Sequence, residues 1–231
     1  MKSVLITGAN RGLGLALAQH FSACAYNLFL VVRSTTAKSD LISNFPDANI
    51  LICDITSDEY ESILTEWLGA AELDVVVNNA GSGTKAPTLE STKAAFLYKE
   101  FDTNCVGVLS TVKGALASLK RKHSSLVVNI SSRRGSLSTQ SELAAKGSGC
   151  SYSYRISKAA QNMLTLCLAD DLEELNIRVV AIHPGRLLTK MASIDACMTP
   201  ESSAKKLVEL VPSNKLKTRD YICLEAGKLP W

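Results

Sequence analysis

The 231-residue chain is 46% hydrophobic and 20% charged, a globular balance that excludes disordered, collagenous and membrane-spanning compositions. Its 25 Lys plus Arg against 22 Asp plus Glu leave a formal charge of +3, too small and too dispersed for a nucleic-acid or membrane surface. Seven scattered cysteines, with no CxxC pair and no metal-like spacing to histidine, read as the reduced thiols of a cytoplasmic protein. The apolar run near the N-terminus ends at Gly8, too short for a signal sequence, so no export is expected.

Strand and helix patterns alternate along the chain. SVLIT (3–7) is a continuous apolar run, as expected for a strand buried on both faces of a parallel sheet. It leads into a glycine-rich turn and a helix over 13–23. Strand runs follow at NLFLVVR (27–33) and NILICDI (49–55), then a helix over 57–69 that opens on the capping-box spacing TSDE (56–59). LDVVVNN (73–79) is the fourth strand, followed by helical patterning over 90–121 with a break. KRKH (120–123) suits the negative end of that helix. SLVVNIS (125–131) is the fifth strand. The polar, Ser/Gly-rich stretch 132–153 sits inside the alternation and reads as a long functional loop. A helix over 154–175, a strand at IRVVAIH (177–183), a helix over 200–211 with Thr199 as N-cap and Pro200 behind it, and a weaker strand near DYICLE (220–225) complete the order. The expectation is one doubly wound α/β domain over 1–231, with a mostly parallel seven-stranded sheet and helices on both faces.

The turn after the first strand reads TGANRGLG, with Thr7, Gly8, Gly12 and Gly14. At this position of an open α/β sheet a dinucleotide pyrophosphate meets the helix N-terminus, and glycines let the backbone approach it. The acid that would bind an adenosine ribose hydroxyl at the end of the second strand is replaced by Arg33, and Arg11 adds a second guanidinium. Two permanently charged forks suit a 2′-phosphate, so NADPH is expected rather than NADH.

The stretch CSYSYRISKAA (150–160) holds two tyrosines ahead of one lysine. Tyr154 is four residues before Lys158 and shares its helical face, whereas Tyr152 is six before. A nearby ammonium would lower the phenol's pKa and make Tyr154 the proton donor, leaving Tyr152 as a pocket wall. Either Ser131 or Ser132, at the end of the fifth strand, could polarise a carbonyl.

Together these motifs resemble the short-chain dehydrogenase/reductase family over nearly the whole chain: TGANRGLG, CDIT (53–56), NNAG (78–81), Asn104 in FDTNCVG, VNISS (128–132), Tyr154 with Lys158, and HPGRLLT (183–189). Within it the chain is similar to the small carbonyl-reductase-like group that includes the Sniffer and C-factor proteins. The resemblance implies a Rossmann fold and a catalytic set of Asn104, Ser132, Tyr154 and Lys158, with Ser132 favoured over Ser131. It implies that Asn104 holds a water linking Lys158 to solvent. Cofactor contacts would come from Gly8, Asn10, Arg11, Gly12, Leu13 and Gly14 in the first turn, and from Arg33, Asp54 and Ile55 after the next two strands. Asn79, Ala80 and Gly81, then Tyr154 and Lys158, and finally Pro184, Gly185, Leu187 and Thr189 would complete them. The implied activity is NADPH-dependent reduction of an aldehyde, ketone or quinone. A C-factor-like signalling protein with little turnover and a pteridine-type reductase are the alternatives. The family pairs through the long helices matching 102–121 and 154–175, so a homodimer or homotetramer is expected. The short segment after Thr189 suggests an open pocket, with the 133–153 loop shaping it.

Overall fold

A computed structural model describes residues 1–188, 196–213 and 215–231 of the chain. Its strands are β1 (Ser3–Thr7), β2 (Asn27–Val32), β3 (Asn49–Ile52), β4 (Val75–Asn78), β5 (Ser125–Ile130), β6 (Ile177–His183), β7 (Tyr221–Cys223) and β8 (Gly227–Lys228). They form one sheet in the order β3-β2-β1-β4-β5-β6-β7-β8. Every neighbouring pair is parallel except β7 with β8. The helices are α1 (Gly12–Ala23), α2 (Thr35–Asn44), α3 (Tyr60–Leu68), α4 (Ala94–Phe101), α5 (Gly107–Lys120), α6 (Leu137–Ser141), α7 (Tyr152–Leu172) and α8 (Pro200–Leu210).

Alternate residues of each strand face opposite cores, which is why the runs are apolar throughout. Val4, Ile6, Val77, Val128 and Ile182 pack under α1, α2 and α8. Leu5, Val76, Val127 and Val179 pack under α3, α5 and α7. The strand order reverses between β1 and β4, and the crevice at the carboxyl ends of strands flanking such a reversal is where ligands bind in this architecture. Among the described residues, no helix is long and apolar enough to cross a membrane.

Three elements differ from expectation. The sheet has eight strands, not seven, because Gly227 and Lys228 fold back onto Cys223 and Ile222, a return too short and too exposed to leave a periodic pattern. Helix α2 was not anticipated. Only Ala37 and Leu41 are buried in it, and its clearest signal is Ser34, whose hydroxyl accepts from the Ala37 N–H at 3.2 Å. The box at 56–59 does not form: Thr56 hydrogen-bonds Asp54 at 2.9 Å, Ser57 bonds Glu59 at 2.5 Å, and α3 starts only at Tyr60. By contrast Thr199 accepts from the Ser202 N–H at 3.1 Å and Pro200 occupies the first turn of α8, as read.

Strand β4 is tied to the first turn through side chains. The Thr7 hydroxyl accepts from the N–H groups of Asn79 and Ala80 at 3.1 and 3.0 Å. The Asn79 amide donates to the carbonyls of Thr7 and Gly8 at 2.9 and 3.1 Å. A Cβ on Gly14 would lie 2.2 Å from the Gly8 carbonyl oxygen and 2.5 Å from the Asn79 amide nitrogen. Gly14→Ala must therefore move backbone. It is expected to destabilise the protein by about 1–3 kcal/mol, read as a drop of several degrees in Tm by circular dichroism, whereas an unchanged Tm would mean the turn is not so tightly closed.

Candidate active site

The glycine turn fits a pyrophosphate. Gly8 and Gly12 take φ values of +67° and +53°, a region that favours glycine, and a Cβ on Gly8 would press on the Ala80 backbone at 3.0 Å. Helix α1 has no acid in its first turn and no side-chain cap, whereas Ser34, Ser151 and Thr199 cap α2, α7 and α8. Its free N–H groups and dipole are left for an anion. Asn10, Arg11 and Gly12 are exposed at the mouth of this turn, while the Leu13 side chain is buried in the core behind it.

Arg33 follows β2 and lies 3.8 Å from Asp54, both side chains well exposed. The expected pair of cofactor residues thus forms a loose surface ion pair, with the guanidinium available to a phosphate. The Ile55 side chain is buried against α5, where a Cβ on Gly107 would meet it at 2.8 Å, which leaves its main chain for a ligand.

The catalytic candidates converge at the carboxyl end of β5. Ser132 follows β5, and its hydroxyl, which accepts from the Arg134 N–H at 3.2 Å, lies on the Tyr154 side, where it favours ionisation of the phenol. The Ser131 hydroxyl is engaged in a buried hydrogen bond to Asn162 Oδ1 of α7 at 2.5 Å. The Ser151 hydroxyl caps α7 at the Tyr154 N–H, 3.3 Å away, so the helix begins where the tyrosine must be placed. Lys158 lies one turn further on, 4% exposed, with its ammonium 5.9 Å from the Tyr154 ring centroid. It donates to the Ile130 carbonyl at 2.7 Å and to Gln161 Oε1 at 2.9 Å. Tyr152 opens the same helix and lies under the Arg155 guanidinium, 4.8 Å from ring centroid to Cζ.

Asn104 sits in a π-helical turn over Asp102–Val106 that supplies the expected break between α4 and α5. Its amide donates to the Ser82 carbonyl and the Ser157 hydroxyl, both at 2.9 Å, and accepts from the Ser82 N–H at 2.9 Å. Both amide protons are therefore committed to protein. Gly81 permits this approach: a Cβ there would lie 3.3 Å from Asn104 Oδ1 and 4.0 Å from Lys158 Nζ.

Burial sets the ionisation of the pair. It pushes Tyr154 up to about 12, against the pull of the Ser132 hydroxyl, and Cys150 and Glu100 nearby raise it further. Burial lowers Lys158 to about 7, partly opposed by Cys105 and Glu100. The expected lowering of the phenol is not found, because desolvation outweighs a lysine that is itself only half-charged near neutrality.

The long loop after Ser132 contains a 3₁₀ turn over Arg133–Gly135 and then α6. The Ser136 hydroxyl donates to the Pro230 carbonyl at 2.7 Å, and Trp231 stacks on Tyr221 with centroids 4.9 Å apart. The Tyr221 hydroxyl in turn bonds the Ser132 carbonyl. After β6, Pro184 is held by Ser203 at 2.7 Å, Gly185 has φ +93°, and Leu187 bridges to Met198. Thr189 and the segment to 195 lie outside the described residues.

Three buried polar residues of this region were not anticipated. Glu100 is fully buried, accepting from the Thr84 N–H at 2.8 Å and the Ser153 hydroxyl at 3.0 Å. Its position four before Asn104, on one helical face, was the only signal. Gln161 holds Lys158. His183, beside the Pro-Gly turn, is 6% exposed.

Comparison with known proteins agrees with this geometry. The model of the short chain dehydrogenase family matches residues 2–196. The rhamnolipid-biosynthesis 3-oxoacyl-[acyl-carrier-protein] reductase of Pseudomonas aeruginosa is 33% identical over 196 residues, 81% of this chain and 73% of that protein. An NADPH-bound carbonyl reductase from chicken fatty liver superimposes with a TM-score of 0.87 at 27% identity, covering 100% of this chain and 99% of the other. The carbonyl reductase Sniffer of D. melanogaster superimposes with a TM-score of 0.86 at 28% identity over all of both chains. The chain belongs to the short chain dehydrogenase family of oxidoreductases, with a likeness to its Sniffer-type carbonyl reductases.

Proposed function

We propose that the protein is an NADPH-dependent carbonyl reductase acting on an aldehyde, ketone or quinone. The observation that carries the reading is Tyr154 with the Lys158 ammonium 5.9 Å from its ring centroid and Ser132 on the same side, set at the carboxyl edge of the sheet near the uncapped end of α1. The likeness to carbonyl reductases over the full chain supports it.

Gly8, Gly12, Gly14 and the N–H groups of α1 would hold the pyrophosphate, and Arg11 and Arg33 the 2′-phosphate. When bound, NADPH supplies a hydride to the carbonyl carbon. Ser132 donates a hydrogen bond to the carbonyl oxygen and orients it. Tyr154 gives its proton to the oxygen as it becomes alkoxide. An alkoxide is a far stronger base than a phenolate, so a phenol at about 12 still donates downhill. The phenolate left behind is stabilised by Ser132 and reprotonated by Lys158, whose ammonium at about 7 is much the stronger acid. Glu100 and Ser151 keep the first turn of α7 in place by holding Ser153 and the Tyr154 N–H.

The purified protein should oxidise NADPH with at least one member of a panel of aldehydes, ketones and quinones. Tyr154→Phe should lower kcat by about 10²–10⁴-fold. No turnover across the panel, or full activity of the variant, would count against the reading.

The pH dependence has a definite sign. Lys158 carries its charge below about 7 and loses it above, so kcat/KM for NADPH, which reports the free enzyme, should be level on the acid side and fall as pH rises through about 7. A profile that stays level to pH 9 would contradict the assigned role.

Arg33→Asp replaces a phosphate partner with a repelling carboxylate. It should lower the preference for NADPH over NADH by about 10–100-fold, the equivalent of one charge-assisted hydrogen bond. Paired kinetics with the two cofactors check it, and an unchanged ratio would remove Arg33 from the site.

A further inference from the structure

We propose that His183, Cys223 and Glu225 form a binding site for a thiophilic divalent cation, Zn²⁺, with Cys197 as a fourth donor. The three residues are remote in sequence, and the sheet brings them together. Parallel pairing of β6 with β7 sets His183 directly beside Cys223, and the N–H of Glu225, two residues on, meets Cys223 Sγ at 3.4 Å. One ligand atom from each residue lies within 4.8 Å of the others. Shifts of roughly 1 Å would close that to tetrahedral zinc spacing.

A second, independent observation points to a ligand here. His183 is 6% exposed, and neither ring nitrogen has a hydrogen-bond partner. Buried imidazoles normally use both nitrogens, so this ring presents a free lone pair toward a thiol and a carboxylate. Cys197 Sγ donates to Glu225 Oε1 at 3.4 Å, and the Met198 sulfur approaches the same corner, 2.9 Å from where a Cβ on Gly185 would be. Imidazole, thiolate and carboxylate are zinc's ordinary donors.

The arginines nearby shape the site without excluding the cation. The Arg186 N–H donates to Glu225 Oε2 at 2.9 Å, and its guanidinium meets Oε1 at 3.3 Å. Those bonds leave lone pairs on the carboxylate and orient it, as outer partners do for metal-binding carboxylates. Arg133 and Arg134 act electrostatically on His183 as well. With a neutral imidazole, the thiolates of Cys223 and Cys197 and one carboxylate, the zinc complex carries a net charge of −1, the same as the carboxylate alone before binding, so these guanidiniums face no added repulsion. The Cys223 and Cys197 thiols each release a proton to solvent as the zinc–sulfur bonds form, and affinity should therefore fall as pH drops. Cys197 is exposed and Glu225 partly so, which leaves a way in.

A bound ion would tie the ends of β6 and β7 to the segment around Cys197, immediately before the Pro184-Gly185 turn. The test reads binding, so it does not depend on the reductase reading. Anaerobic titration of the full chain with Co²⁺ should give one equivalent with a thiolate-to-cobalt charge-transfer band and strong tetrahedral d–d absorption, and Zn²⁺ should displace it. Cys223→Ser and His183→Gln should each abolish the signal, while Cys24→Ser and Cys167→Ser, at exposed thiols elsewhere, should keep it. If either site variant fails to fold by circular dichroism, Glu225→Gln is read in its place and should weaken binding at least tenfold. Absence of the charge-transfer band, or a band undiminished in the folded site variants, would overturn the proposal.

Discussion

A buried ammonium is the constraint around which this site is arranged. Lys158 is almost wholly removed from water, and desolvating a charge is tolerated only when hydrogen bonds replace its hydration. The Ile130 carbonyl and Gln161 supply two of them. The carbonyl is free to do so because β5 ends there and its ladder stops. Gln161 occupies the next helical turn on the same face as Lys158. Even so the ammonium remains destabilised, and a group that would titrate near 10.4 in water comes to rest near neutrality. A lysine in that state exchanges protons readily at physiological pH, as the proposed mechanism requires of the residue behind Tyr154.

The surroundings keep that arrangement from relaxing. Glu100 anchors Ser153, Ser151 caps the helix at Tyr154, and Asn104 ties the Ser82 backbone to the Ser157 hydroxyl of α7. A second buried ladder runs from Asn78 to Asn129 to Thr165 and links β4, β5 and α7 beneath the site. The glycine turn is held from the same strand by Asn79 and Thr7. The glycine turn and α7 thus share one strand, β4, as their common support. The Tyr221–Trp231 stack adds a support from the far side, through the Ser132 carbonyl.

Much of this was legible in the residues because parallel sheets collect their functional turns at one edge. Each motif, from Gly8 through Asn79 and Ser132 to Pro184, follows a strand run, so the chain order alone puts them together. Tyr154 and Lys158 were legible from helical spacing. What could not be read depended on packing between distant segments. Ile55 turned inward because Gly107 makes room for it, and the direction of the Tyr154 shift came from what covers the phenol, not from its neighbour four residues away. His183 beside Cys223 is a matter of β6–β7 register, which no local pattern states. Helix α2 lacked a continuous apolar stripe, and β8 is two exposed residues. Thr189, read from the motif alone, lies outside the described residues.

The account depends most on Lys158 being the group that titrates in the site near neutrality, and its ionisation can be followed directly. In protein labelled with ¹³C at the lysine side chains, the Cε resonance of Lys158, assigned by its loss in Lys158→Arg, should titrate with a midpoint near 7 in the cofactor-free protein. A midpoint near 10, the value of a solvated lysine, would contradict the buried-ammonium account.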